Sequence, residues 1–499
     1  IDFVENYQSR FNSTIKIKPL DKTLFSKKIE ETIDQKIIET ESEKNIEEDD
    51  ENYIEKVYTL GLKYLKGNGV PIDKTKASEY LKEASEKGHQ TAMYFYARML
   101  LFGDGISINK EEAARYFKQS AEKGDEDSMF AYGLLLYNGE GVPNDKKESL
   151  KYIKMSADKG NVNAMFKYAY MVSNGDGVKV DKKEAARYYK RAADKGHVDA
   201  MYNYANALIR GDGVASDKDE AIEYYKTAIE KNHSYSMYNY ANMLYNGDGV
   251  AVDKKEASKL YKMAAELDQV DAMFKYAYMA SNGDGVPVDK IEASKFYKKA
   301  ADKGHVDAMY NYANSLLRGD AAPVDKQKAI EYYKMAIEKD HPYSMYSYAN
   351  MLYSGNGVAV DKKEAARLYR MAIEENHSDS MYKLAYMLSN GDGVDVDKKE
   401  ATRLYKIAAD KGHLDAMYNY ANALIRGDGV AVDVNKAIRY YKMAIEKGHA
   451  YSMYNYANLL FNGKEVEADK KEAARLFKMA ADKGQIDAMN RYAYMLFTG

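Results

Sequence analysis

The sequence predicts an all-α protein built as a solenoid, in which short helix pairs stack one upon the next. Two observations support this prediction. A methionine returns every 36 residues from Met93 to Met489, mostly within Ala-Met-Tyr or Ser-Met-Tyr, and no insertion interrupts it. Glycines keep the same step from Gly67 to Gly499. A 36-residue pair of amphipathic helices cannot bury its apolar face alone, so neighbouring pairs must stack.

Each unit is predicted to hold two helices, and residues 197–232 serve as the example. Helix A is expected from Val198 to Arg210, ending where Gly211 or Gly213 takes the left-handed conformation. Helix B is expected after Asp217, which forms a capping box with Glu220. The apolar residues of both helices recur at spacings of 3, 4 and 7, as one buried face requires.

The repeat divides the chain into two predicted parts. Residues 1–52 lack the repeat and end in an acidic linker, and residues 53–499 hold twelve helix pairs and a thirteenth helix A, the first being Tyr53–Lys66. A second period, of three units, lies over the first and indicates growth by copying blocks. Because the array stops on a loop glycine, we expect a fragment of a longer protein or a disordered remainder.

Composition excludes several classes of function. The net charge is about −3, which gives no reason to expect nucleic acid. Cys is absent, so disulfides and thiolate chemistry are impossible and a cytoplasmic location is expected. No apolar run is long enough to enter a bilayer as a spanning helix. Tyr is unusually frequent and is expected in the core with its hydroxyl at a polar edge.

The repeated unit resembles the Sel-1-like repeat, a relative of the tetratricopeptide repeat. The residues that carry the resemblance are Ala200, Gly211, Gly213, Val214, Asp217, Ala221, Tyr225 and Ala228. The unit departs from the family where Tyr204-Ala205 replaces Leu-Gly and Tyr224 replaces Trp. The resemblance covers residues 53–499 and implies a right-handed α/α superhelix whose helices A line a concave surface. It also implies an adaptor or scaffold role, without selecting a pathway.

No catalytic or metal-binding group is predicted. The eight histidines share one repeat position and are interpreted as helix-start residues, since Asp125 and Asn161 take that position in other units. The Gly-Asp-Gly-Val loop has neither the ligand spacing of a calcium loop nor the Lys-Ser/Thr of a phosphate loop. Ser156 and Lys159 fit a serine acyl-enzyme motif only because Ser156 replaces a repeat alanine. We therefore expect no enzyme, metal or cofactor.

Paired polar residues on helix A are the predicted binding residues, because their spacing of three places them together on a face away from the core. Five units carry two asparagines, a sixth carries Ser347 with Asn350, and every third unit carries a long cation and a tyrosine instead. The asparagines are Asn203, Asn206, Asn239, Asn242, Asn311, Asn314, Asn350 (with Ser347), Asn419, Asn422, Asn455 and Asn458. The other pairs are Lys167/Tyr170, Lys275/Tyr278, Lys383/Tyr386 and Arg491/Tyr494.

A row of carboxamides can hold the main chain of an extended peptide, and the lysines and tyrosines can add charge and stacking preferences. The leading hypothesis is a non-enzymatic scaffold that binds a protein segment along the concave face. The alternative is a regulatory array of a larger enzyme, such as a kinase, with its catalytic domain before Ile1. A structural role for the asparagines, bonding along the stack, also stays open, as does the oligomeric state.

Overall fold

A computed structural model describes residues 50–498, and every regular element within them is an α-helix. Helices of the A and B type alternate, and we number them α1 to α25, so that odd numbers are helices A. Helices A are Asp50–Lys66, Gln90–Phe102, Glu126–Asn138, Val162–Asn174, Val198–Arg210, Ser234–Asn246, Val270–Asn282, Val306–Arg318, Pro342–Ser354, Ser378–Asn390, Leu414–Arg426, Ala450–Asn462 and Ile486–Thr498.

Helices B complete the described chain. They are Lys74–Glu86, Lys110–Glu122, Lys146–Lys159, Lys182–Asp194, Lys218–Glu230, Lys254–Glu266, Lys290–Asp302, Lys326–Ile337, Lys362–Glu374, Lys398–Asp410, Val434–Glu446 and Lys470–Asp482. The predicted bounds of α9, Val198–Arg210, are confirmed, whereas α1 begins at Asp50 rather than Tyr53. The rest of the predicted segment 1–52 lies outside the described residues.

The chain forms two compact units, residues 50–240 and residues 241–498 of the described part, and the division falls within α11. In each unit, helices that follow one another in sequence pack against each other, as tandem repeats predict. The core of the example repeat is built as expected: Met201, Tyr204, Ala205 and Leu208 of α9 are all buried. The architecture is therefore an α-solenoid of 36-residue helix-turn-helix repeats, as predicted.

The loop from helix A to helix B uses both predicted glycines. Gly211 (φ +68°) closes α9, and its N–H donates to the carbonyl of Ala207. Gly213 (φ +74°) has a second constraint, because a Cβ there would lie 2.2 Å from the carbonyl carbon and oxygen of Lys182 in the preceding helix B. Only glycine tolerates that approach together with a positive φ.

The predicted capping box is half correct. Asp217 caps α10, since its Oδ1 accepts the N–H of Glu220 at 2.9 Å. The reciprocal bond is replaced: the N–H of Asp217 donates to the carbonyl of Leu208 at 3.2 Å. The Glu220 carboxylate instead accepts from Lys190 of the preceding repeat at 2.6 Å. Because the loop returns close to helix A, the N–H of Asp217 already has an acceptor there. The Glu220 carboxylate is therefore available for a bond to the preceding repeat.

The helix-start interpretation of the histidines is confirmed. In all eight, Nδ1 accepts the N–H of the residue three positions later, as in His197 with Ala200 at 3.3 Å. Each imidazole also lies against an aromatic ring of the preceding helix A, stacked in four cases and tilted in the other four, with centroids 4.5 Å apart for Phe166 and His197. One side chain therefore caps a helix and covers the junction between two repeats.

The aspartate of the Gly-Asp-Gly-Val loop also forms an ion pair between neighbouring repeats. Asp212 accepts from Lys182, the first residue of the preceding helix B, at 2.6 Å, and Lys146 pairs in the same way with Asp176 at 2.7 Å. Within residues 50–498 no cluster of three potential metal ligands is found. Over the same residues, no helix combines the length and apolar character needed to cross a membrane.

Candidate interaction surface on the helices A

The predicted asparagines lie half-buried on helices A, and the structure divides them by their bonds. The second asparagine of a pair accepts the hydroxyl of a buried tyrosine on helix B of the same repeat. For Asn206 the donor is Tyr225, at 2.7 Å, and burial raises the pKa of that phenol to about 12. The same bond recurs 19 residues apart in Asn242–Tyr261, Asn314–Tyr333, Asn350–Tyr369 and Asn422–Tyr441.

The second asparagines therefore have a structural role, whatever else they do. Asn458 is the exception, because the helix B residue at the tyrosine position of its repeat is Phe477, which has no hydroxyl. In two places the network extends along the stack: Asn239 donates to Asn206 at 3.0 Å, and Asn455 donates to Asn422 at 2.8 Å. This is the bonding between neighbouring repeats that the sequence left open as an alternative.

The first asparagine of each three-repeat block, namely Asn203, Asn311 or Asn419, makes fewer hydrogen bonds. Asn203 donates one N–H to the carbonyl of Asp199 on its own helix at 2.7 Å, and Asn311 and Asn419 repeat this bond. A carboxamide has a second N–H and an acceptor oxygen. Those groups of Asn203, Asn311 and Asn419 have no hydrogen-bond partner in the described chain.

A cleft in the first compact unit brings several of these side chains together. It has a volume of about 340 Å³ and lies between α7 and α9, with α8 beneath. Tyr170, Asn203 and Asn206, all predicted from sequence, line it together with Arg210. Arg210 is exposed and forms no ion pair within residues 50–498, so the cleft offers carboxamides, a phenol ring and a free cation.

Arg210 was missed by the sequence reasoning, although a signal exists. The arginine recurs at the same three-repeat step as Arg318 and Arg426, at the ends of α15 and α21. Arg318 differs, because it pairs with Asp320 at 2.7 Å. The three-repeat period of the sequence therefore identifies these arginines. Only the structure shows that Arg318 is paired and that Arg210 is not.

The lysines of every third unit also differ from one another. Lys167 is buried, at 5% exposure, and burial lowers its pKa to about 7. Lys275 and Lys383 are half-buried, and Tyr278 and Tyr386 are exposed. Lys383 and Tyr386 line a second cavity, of about 260 Å³, in the second compact unit. Lys167 lies inside the protein rather than at a binding surface.

Two further hollows lie on the side of helices B and loops. They measure about 550 Å³ beside Lys262 and about 320 Å³ beside Arg403. Neither contains a predicted binding residue. Cavity volume therefore does not identify the helix A surface as the binding site. We select that surface because it groups predicted polar side chains that have unused hydrogen-bonding groups.

Stacked helix pairs of fixed length define a tandem-repeat protein of the solenoid class. The pattern of the Sel1 repeat matches thirteen consecutive stretches, which begin at residue 58 and end at residue 499. The chain therefore belongs to the Sel1 repeat family, whose solenoid is a protein–protein interaction fold and typically a non-catalytic scaffold.

Solved structures agree with this assignment. The chain is 26% identical to a protective antigen of uropathogenic Escherichia coli that displays the SLR fold, with a TM-score of 0.80 over 85% of this chain and 91% of that one. A Sel1 repeat protein from Oxalobacter formigenes is 22% identical, with a TM-score of 0.51 over 67% of this chain and 95% of that one. No curated protein matches the sequence.

Proposed function

We propose that the chain is a scaffold that binds an extended segment of a partner protein along its helices A. The observation that carries this proposal is the cleft at Asn203. There an asparagine with an unused N–H and carbonyl oxygen lies beside an aromatic ring and a free arginine. Carboxamides satisfy the main chain of an extended peptide without reading its sequence, and the arginine can fix a charged group.

The first asparagines carry the proposed recognition, rather than the whole rows. Asn203, Asn311 and Asn419 bond only to their own helix, so their free groups can reach a ligand. Asn206 and its equivalents already accept buried phenols. Replacing both kinds of asparagine together would therefore confound binding with stability, and the test must separate them.

The test compares the natural chain with the variant N203A/N311A/N419A. Partners captured from the source cell would be identified, reduced to a synthetic segment, and titrated against both proteins. We expect the variant to bind the segment at least about tenfold more weakly, as loss of several buried hydrogen bonds implies. The circular dichroism melting curves should be unchanged, because the variant removes no bond between helices.

The matched control is N138A/N246A/N462A, which also removes three asparagines from helices A, but from their exposed last residues. The control should bind like the natural chain. Equal binding by all three proteins would show that the first asparagines do not contact the partner.

A further inference from the structure

One stretch of helix A and its loop occurs twice without change. Residues 200–214 and residues 416–430 have the same fifteen-residue sequence, and one copy lies in each compact unit. Six repeats, or two of the three-repeat blocks, separate them. The copy in the first unit supplies Asn203, Asn206 and Arg210 to the cleft. Their counterparts in the second unit are Asn419, Asn422 and Arg426.

The hydrogen bonds of the two copies also agree. The first asparagine donates to the main chain of its own helix, at 2.7 Å in one unit and at 2.8 Å in the other. The second asparagine accepts a tyrosine hydroxyl from helix B and an amide N–H from the next helix A in both copies. The loop aspartate accepts from the first lysine of the preceding helix B, at 2.6 Å for Asp212 and 2.7 Å for Asp428. The same groups are therefore occupied in both copies.

The two arginines are likewise unpaired in both copies. Arg210 and Arg426 are exposed, and neither forms a hydrogen bond or ion pair in the part of the chain that the structure describes. A guanidinium group carries five N–H donors, and a peptide main chain offers a carbonyl acceptor at every residue. Each arginine can therefore bind a peptide main chain by hydrogen bonds, and this binding does not require an excess of positive charge around it.

The copy between these two differs from both. Its arginine, Arg318, pairs with Asp320 at 2.7 Å, and the side chain of Asp320 is only 7% exposed. Ser315 replaces an alanine that lines the first cleft, and its hydroxyl bonds to that of Ser294 on helix B at 2.7 Å. Ser347 stands where the other copies have the asparagine that donates between neighbouring helices A. The middle copy therefore lacks both the free guanidinium group and the donating amide.

We propose that the chain has two equivalent peptide-binding sites, one in each compact unit, which recognise the same extended motif. Asn203 and Arg210 form the first site, and Asn419 and Arg426 form the second. Asn311 belongs to an incomplete third copy, because Arg318 is already paired. The proposal rests on the proposed function, since it gives the number of binding sites and the arginine that completes each of them.

The test needs a defined peptide as its probe. A dodecapeptide is selected from a random phage-displayed library on the natural full-length chain and counter-selected on R210A/R426A. Calorimetric titration then gives the number of peptides bound per chain. We expect two for the natural chain and for R318A. R210A and R426A should each retain one site, with the other weakened at least about tenfold.

The matched control is R370A, which removes an exposed arginine of α18 outside the duplicated stretch and should bind two peptides. The middle copy offers a gain of binding. D320A/S347N releases Arg318 and restores the donating asparagine, so we expect it to bind three peptides per chain. Two peptides bound by this variant, with an unchanged melting curve, would contradict the assignment of these residues as those that complete a site.

Other results would overturn the proposal as a whole. These are one or three peptides bound by the natural chain, equal losses in R210A and R370A, or a library that yields no peptide dependent on the two arginines. The proposed function fails separately, if the captured natural segment binds N203A/N311A/N419A as well as the natural chain. A captured segment that needs the asparagines but occupies one site per chain would leave the scaffold function standing and remove only the second site.

Discussion

The Nε2 of His233 lies 3.3 Å from Oδ1 of Asp199, which belongs to the preceding repeat. The other ring nitrogen caps α11 by accepting the N–H of Ser236 at 3.2 Å. Nδ1 must be unprotonated to accept, so Nε2 carries the proton and donates to the carboxylate. One imidazole thus joins a helix start to the previous repeat.

Six of the eight histidines have such a carboxylate at the same position of the preceding repeat, with Nε2–oxygen distances from 3.0 to 3.6 Å. The two exceptions are His197 and His377, where the equivalent residues are Asn163 and Tyr343. Burial lowers the pKa of both of these histidines. These two imidazoles lack the carboxylate of the preceding repeat, which would favour their protonated form.

The first prediction concerns acid. Because the folded pKa of His377 lies below its ordinary value of 6.5, the unfolded chain binds more protons as the pH falls through 6.5. Stability is therefore full above pH 6.5 and falls below it. Asp379, which raises the pKa, and His341, which lowers it, face the same imidazole. We expect Y343D to supply the missing carboxylate and to reduce the acid-induced loss by about 1 kcal/mol.

The measurement is the urea midpoint of the natural chain and of Y343D between pH 7.5 and pH 5. Identical pH profiles for the two proteins would show that the His377 junction does not govern acid stability.

The second prediction compares two glycines of one loop. G211A and G213A both place alanine at a positive φ, which costs about 1 kcal/mol. Only G213A also brings a Cβ against the backbone of the preceding helix; the nearest atom to a Cβ at Gly211 is 3.7 Å away. We expect G213A to cost about 3 kcal/mol or more. Equal melting temperatures for the two variants would contradict the close approach.

The third prediction concerns the second asparagines. N206A leaves the hydroxyl of the buried Tyr225 without its acceptor and should cost about 1–3 kcal/mol. N458A is the matched control and should change stability by less than about 0.5 kcal/mol, since Phe477 offers no hydroxyl. Hydrogen exchange of α10 and α24 reports each site locally, which suits a repeat array that need not unfold in one step.

The fourth prediction concerns Lys167. Its folded pKa of about 7 lies below the ordinary 10.5, so the natural chain gains stability as the pH rises between these values. K167M removes the buried charge and should stabilise the protein by about 1–3 kcal/mol at pH 6. The gain should fade by about pH 10. The half-buried Lys275 provides the control K275M, for which urea midpoints should hardly move; an equal gain there would mean that burial is not the cause.

The helices and their caps followed from sequence because they depend on local spacing. The repeat period, the caps at Asp217 and His197 and the left-handed Gly211 are all decided within a few residues of chain. Glu220 was misjudged for the opposite reason. Its local partner, the N–H of Asp217, is taken by Leu208, and its actual partner, Lys190, lies 30 residues away.

The candidate binding surface was predictable only in part. Spacing alone placed Asn203 and Asn206 away from the core. It could not show that the phenol of Tyr225 bonds to Asn206 whereas Asn203 lies beside an open cleft. Likewise, Lys167 and Lys383 occupy the same position of their helices A. Their different exposure depends on whether the neighbouring pair is Leu134 with Ile153 or Asn350 with Tyr369, on two other helices.

The bonds between repeats have a consequence for how such an array changes length. They span 30 to 39 residues, so each joins one repeat only to the next. Deletion or duplication of a three-repeat block would rejoin most of these residue types with the partner they had before, as His305–Asp271 and His413–Asp379 illustrate. Copy number can therefore change in steps of three repeats with few new interfaces, whereas a one-repeat slip would set an unmatched side chain against a histidine.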